Sequence, residues 1–228
     1  MPRSNTVEVP QSTGAIGGVS MLNLEKLAKA EFHSDPFDYV LVDDFLRDEY
    51  KGAIVNDFPP IERHGSFPLA TLNYGPAFGQ LASELFSQEF AQVVGEKFSL
   101  DLAQYPTMLT VRGWCDASDG QIHTDSTNKL ITVLLYLNPM WNSDGGRLRL
   151  LRSKKLEDYV AEVVPAMGSL IIFKRSNCSW HGHKPFEGKR MSLQFNWVNS
   201  SGYMRRERIR HRVSSLLKRL RGQTAYEG

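Results

Sequence analysis

Apolar positions in the first hundred residues recur at helical spacing. Leu22, Leu24, Leu27, Ala28 and Ala30 predict a short helix over 21–32, and Asp35-Pro36 stops it because the residue before a proline is pushed out of the α region. Tyr39-Val40-Leu41-Val42 reads as a strand. A second helix is expected from a cap at Asp43 or Asp44 to about Asn56, ended by Pro59-Pro60. A longer one fits 78–98, where small and aromatic residues fall three or four apart. Beyond Pro106 the texture changes to short runs of strand character separated by Gly, Asp, Asn and Ser. Candidate strands are 108–114, 121–125, 130–137, 147–151, 159–164, 169–174 and 190–198. So many short strands within about ninety residues suit a jelly roll, giving an α+β, mainly β, chain with N-terminal supporting helices.

The last of these strands has the clearest two-residue period. Arg190, Ser192, Gln194 and Asn196 share one face, and Met191, Leu193, Phe195 and Trp197 share the other. A polar face on an antiparallel strand usually meets solvent. The alternative is a polar cavity inside a barrel whose outer face the N-terminal helices cover, and there an arginine can hold a carboxylate through paired charge-assisted hydrogen bonds.

Composition narrows the class without naming it. The 228 residues are 41% hydrophobic and 23% charged, with no apolar run near the roughly 20 residues that span a bilayer, so an integral membrane protein is excluded. Residues 1–20 hold Gly14, Gly17, Gly18, Pro2 and Pro10 without an apolar stretch after a basic start; a flexible leader rather than a secretory signal is expected, and with it a cytoplasmic location. Cys115 and Cys178 are too few for a disulfide framework. The net charge of +2 conceals an asymmetry, because the segment 205–228 carries +6 and leaves −4 for the rest. Ile209, Val213, Leu216, Leu217 and Leu220 form a helical stripe opposite arginines in that segment. A basic amphipathic C-terminal helix packing on the acidic body, or on a second copy as a homodimer, is expected in preference to nucleic-acid or membrane contact. The expected organisation is therefore a leader at 1–20, one domain over 21–204 with helical support to 100 and a jelly-roll core from 101, and the tail helix at 205–228.

Candidate chemistry begins at His123-Thr124-Asp125. Residues two apart on a strand point the same way, so His123 and Asp125 can grip one ion while Thr124 faces away. A histidine from a later strand would complete a set of two histidines and one carboxylate, which leaves open positions on a non-haem Fe(II). Ser179-Trp180-His181-Gly182-His183 offers two such histidines.

The order GQIHTDS, ITVLLYLNPMW, DGGRLRLL, PAMGSLIIFKRS and SWHGHKPFEGKRMSLQFNW, over about residues 106–198, resembles the Fe(II)/2-oxoglutarate dioxygenases and specifically their prolyl-hydroxylase group. The resemblance implies a double-stranded β-helix, with Fe(II) held by His123, Asp125 and a distal histidine. It also implies 2-oxoglutarate chelating the metal, with its far carboxylate on Arg190. The family's distal histidine stands four positions before a proline and nine before the basic residue; Pro185 and Arg190 both select His181, with His183 left as the alternative. Tyr136 matches a tyrosine that related enzymes direct at the same carboxylate, and Thr132 and Ser192 are expected to line that cofactor pocket. The reaction implied is hydroxylation of an unactivated C–H bond by O2, with decarboxylation of 2-oxoglutarate to succinate and ascorbate as a stimulant. Halogenating relatives lack the carboxylate that Asp125 supplies here.

The substrate is left open between a peptidyl prolyl or other protein side chain and a small metabolite or saccharide-linked molecule. Nucleic-acid demethylases place a second arginine six residues after the first, where this chain has Asn196, which counts against nucleic acid. A metal-binding jelly roll without oxygenase activity is the reading from a different class. Tyr74, Trp114, Trp141 and Trp180 are candidate pocket aromatics; Gly145-Gly146 is a tight strand entry; Arg147 and Arg149 are either contacts for an anionic substrate or solvated surface groups.

Overall fold

The computed structural model describes residues 20–199; the leader and the basic tail, with its expected helix and dimer contact, lie outside the described residues. The helices are α1 (Leu24–Lys29), α2 (Asp48–Asn56), α3 (Pro76–Leu85) and α4 (Gln88–Phe98). The strands are β1 (Phe32–His33), β2 (Tyr39–Val42), β3 (Phe67–Pro68), β4 (Thr107–Cys115), β5 (Lys129–Tyr136), β6 (Leu148–Leu151), β7 (Tyr159–Val163), β8 (Leu170–Lys174), β9 (Trp180–Gly182) and β10 (Gly188–Val198). They form a seven-stranded sheet in the order β1-β2-β8-β5-β10-β4-β3 and a three-stranded sheet β7-β6-β9, antiparallel throughout.

Alternation along the strands separates two cores. The outward face of the large sheet, with Leu109, Val111, Ile131, Val133, Leu135, Leu193, Phe195 and Trp197, packs under Leu27, Ile54, Phe78, Leu81, Phe90 and Val94 of the helices. Phe90 stacks on Trp197 with ring centroids 5.8 Å apart. Between the sheets a smaller cluster joins Phe37, Tyr39, Tyr136, Leu148, Leu150, Ile171 and Phe173. The helices therefore cover the back of the sheet and leave its other face to build a cavity, as the period of the last strand suggested.

Several expectations need correction. The single helix over 78–98 is two, because Ser87 takes an extended backbone and its hydroxyl accepts the Phe90 N–H at 3.1 Å, capping α4 anew. Neither Asp43 nor Asp44 caps α2: Asp44 turns the chain at φ 57° and its carboxylate pairs with Lys51, while α2 starts at Asp48. Residues 121–125 are not a regular strand; His123 alone bridges to His181 there. Two short pieces, β3 and β9, carry too few residues to show a period. Among the described residues no helix is long and apolar enough to cross a membrane.

Candidate active site

The cavity wall is a cross-strand grid. β10 is the central strand, and the register sets Ser192 between Arg112 of β4 and Tyr136 of β5, Gln194 between Thr110 and Leu134, and Asn196 between Met108 and Thr132. Opposite these rows, His123, Asp125, Leu148, His181 and His183 close a cavity of about 570 Å³. Most of the residues that line it are polar in type, with Met108, Leu134 and Leu148 aliphatic and neither Phe nor Trp present.

His123, Asp125 and His181 lie at one end, with one donor atom from each within 4.8 Å of the others. Reciprocal backbone hydrogen bonds of 3.0 Å between His123 and His181 fix the two histidines side by side. Each ring has its Nδ1 against a carbonyl, Gln121 at 2.7 Å and Ser179 at 3.0 Å, which makes Nδ1 the N–H donor and leaves Nε2 as the lone-pair atom. Asp125 is buried and its carboxylate engaged on both oxygens: Thr132 Oγ1 donates to Oδ2 at 2.5 Å and Lys129 Nζ to Oδ1 at 2.8 Å. Asn196 Nδ2 in turn donates to Thr132 Oγ1 at 2.8 Å, a buried relay of three side chains. Burial alone would raise the Asp125 pKa; Lys129 and then His181 outweigh it and hold the carboxyl below its ordinary range. Burial pushes the His181 pKa down to about 4, against the pull of Asp125, so its ring is neutral and fit for a metal.

The other end is cationic. Arg190 is buried, donates from Nε to the Gly146 carbonyl at 3.0 Å and from Nη2 to the Tyr136 hydroxyl at 3.3 Å, and lies over the tyrosine ring. These bonds use two of its five N–H donors. Gly146 stands at φ 73°, and a Cβ there would strike Trp141 and Phe186, so the glycine pair does admit close approach. Burial raises the Tyr136 pKa, which keeps the hydroxyl protonated as a donor.

The residues singled out in the sequence are placed as follows. His123, Asp125 and His181 converge. His183 lines the same cavity outside that cluster, its ring on Gly120 and its Nδ1 2.8 Å from the Lys184 carbonyl. Tyr136 and Ser192 stand beside Arg190. Thr132 stands at the other end, on Asp125, rather than in the carboxylate pocket expected for it. Asn196, taken from the sequence as a departure from a family pattern, is the anchor of the relay; only its place on the Arg190 face signalled this. Neither Arg147 nor Arg149 lines the cavity: Arg149 is buried against Glu162 at 2.6 Å and Glu157 at 2.9 Å, whereas Arg147 is partly solvated and bonds Asp144, Glu162 and the Ser143 carbonyl. None of Tyr74, Trp114, Trp141 and Trp180 lines the cavity.

Known proteins share the fold of this segment and its sequence pattern. The family model of the 2OG-Fe(II) oxygenase superfamily matches residues 112–199. Among solved structures, a prolyl 4-hydroxylase from Phytophthora capsici is 22% identical with a TM-score of 0.50, over 70% of this chain and 58% of that one. A prolyl-4-hydroxylase from Pseudomonas putida is 16% identical with a TM-score of 0.51, over 78% of this chain and 93% of that one. A viral collagen prolyl hydroxylase from Paramecium bursaria Chlorella virus-1 is 15% identical with a TM-score of 0.50, over 74% and 93%. At these identities the likeness is one of fold, and this chain spans little more than half of the Phytophthora protein. Among curated proteins no sequence matches. The segment that matches the 2OG-Fe(II) oxygenase superfamily model, 112–199, holds His123, Asp125, Tyr136, His181 and Arg190.

Proposed function

We propose that this protein is an Fe(II)- and 2-oxoglutarate-dependent dioxygenase that hydroxylates an unactivated C–H bond and releases succinate and CO2. The observation that carries the reading is the placement, in one cavity, of the His123, Asp125 and His181 cluster at one end and the Arg190 and Tyr136 pair at the other. The donor set fits the metal, as two imidazoles with free Nε2 atoms and one carboxylate suit Fe(II) with positions left open. Bound there, Fe(II) with 2-oxoglutarate and O2 supplies the oxidising chemistry.

The chain's own groups do the rest. His123, Asp125 and His181 hold the metal. Arg190 binds the far carboxylate of 2-oxoglutarate, the Tyr136 hydroxyl donates to the same group, and Ser192 borders it. Thr132 and Asn196 hold the Asp125 carboxylate in place.

The substrate reading of a peptidyl prolyl side chain draws on the resemblance to the prolyl-hydroxylase group. The wall itself favours a small hydrophilic molecule, because a prolyl ring is apolar and the cavity offers it neither Phe nor Trp. The catalytic unit is taken as 21–204. Two free thiols, Cys178 of them exposed, support a reducing, cytoplasmic setting. The test is succinate release from 2-oxoglutarate in the presence of Fe(II) and O2. Slow uncoupled turnover lost in both Asp125→Ala and Arg190→Ala is expected; turnover that survives either substitution contradicts the assignment.

A further inference from the structure

The carboxylate of the proposed metal site already has a cation on it. Lys129 opens β5, its side chain is 11% exposed, and among the described residues its ion-pair partner is Asp125 alone, through Oδ1 at 2.8 Å. The other oxygen is held by Thr132 and behind it Asn196, so Oδ1 is the atom left for a metal. A divalent cation and the Lys129 ammonium repel each other, which disfavours the two sharing one oxygen in a poorly solvated site. A metal that takes Oδ1 therefore displaces the ammonium. The lysine stem is flexible, and Lys129 lines the same cavity as Ser126, Gln194 and Asn196.

The charge of the cavity says what the displaced ammonium would meet. Its lining carries three cations, Arg112, Lys129 and Arg190, against two carboxylates, Asp119 and Asp125. Arg112 is held only loosely, 3.8 Å from Asp119. A divalent metal adds two positive charges and 2-oxoglutarate removes two, which leaves one positive charge uncompensated beside the reacting end. A buried unpaired ammonium is costly, and a substrate bearing one negative group relieves it.

We propose that Lys129 is a place-holder that yields Asp125 to the metal and then binds an anionic group, carboxylate or phosphate, on a small hydrophilic substrate. The inference rests on the dioxygenase reading. It makes metal and substrate anion cooperative: the anion binds Lys129 only after the metal has freed it, and by reciprocity the anion tightens the metal. It also makes Lys129 a specificity-determining residue.

The test uses the full chain with Mn(II) in place of Fe(II) and reads binding by calorimetry, with melting curves to verify folding. Mn(II) is expected to bind Lys129→Met about tenfold more tightly than the unmodified protein, and Lys129→Arg no more tightly. To the protein holding Mn(II) and 2-oxoglutarate is then added a panel of small carboxylates and phosphate monoesters, each with its neutral amide or alcohol. At least one acid is expected to bind about tenfold tighter than its neutral match, to lose that advantage in Lys129→Met and without Mn(II), and to keep it in Lys129→Arg. Which arm of the panel binds separates carboxylate from phosphate. Equal Mn(II) affinity in Lys129→Met, a panel in which no acid outbinds its neutral match, or a preference that survives Lys129→Met overturns the proposal. Failure of the underlying reading looks different: 2-oxoglutarate itself would not bind the Mn(II) protein, or would bind Arg190→Ala equally well.

Discussion

Thr132 donates its hydroxyl to Asp125 Oδ2 at 2.5 Å, although Thr132 lies seven positions further along the chain, on β5. The bond fixes the rotation of the carboxylate, and Asn196 fixes the hydroxyl in turn. Groups that orient a ligand in this way commonly affect metal affinity by about ten- to a hundredfold. Thr132→Val keeps the shape and removes the donor. It is expected to weaken Mn(II) binding by about tenfold with little change in melting temperature, as read by calorimetry. Unchanged affinity would show that Lys129 alone sets the carboxylate.

Arg190 and Asp125 are expected to separate cleanly. Arg190→Ala should reduce 2-oxoglutarate affinity by about a hundredfold or more, since a buried charge-assisted pair is lost, while Mn(II) affinity stays close to that of the unmodified protein. Asp125→Ala should abolish both. Titration of Mn(II) and then 2-oxoglutarate into each variant measures the two losses; equal loss of metal in Arg190→Ala contradicts the division of the cavity into two ends.

The stability of the metal-free protein is expected to fall with acid. Burial pushes the His181 pKa down to about 4, and burial together with the neighbouring Arg190 does the same to His183. The unfolded chain takes up these protons as the pH drops below the ordinary histidine value of 6.5, whereas the folded chain stays neutral until about 4. The stabilising contribution is thus present above 6.5 and lost as the pH falls through that window towards 4. Melting temperature in chelator should drop between about pH 7 and about pH 5, and drop less in His183→Gln. A flat profile would mean that the rings titrate as if exposed.

Support of the sheet by the helices is tested away from the site. Phe90 is fully buried against Phe45, Phe195 and Trp197. Phe90→Ala is expected to cost about 3–5 kcal/mol in denaturant unfolding. A cost under about 1 kcal/mol would show that α4 is not needed to hold β10.

The alternation of Arg190 to Val198 was legible because one strand carries both the outer core and the cavity wall, and each side needs its own residue type. His123, Asp125 and His181 were legible from residue types and spacing, although the local reason was different: 121–125 forms a single bridge, not a strand. The break at Ser87 was hidden because the apolar spacing runs through it, and only the cap bond shows where one helix ends and the next begins. The roles of Lys129, Asn196 and Thr132 were not readable from sequence. They depend on which end of the cavity each reaches, and that is set by register across three strands rather than by neighbours along the chain. The burial of Arg149 was hidden for the same reason, since Glu162, which faces it from β7, is invisible in a local window.

The most direct test of the central claim is the visible spectrum of the purified protein with Fe(II) and then 2-oxoglutarate added without oxygen. A weak metal-to-ligand charge-transfer band is expected in the unmodified protein and in neither Asp125→Ala nor Arg190→Ala. Bound metal without that band, or a band that persists in Asp125→Ala, would contradict the assignment of this cavity as the site where Fe(II) and 2-oxoglutarate meet.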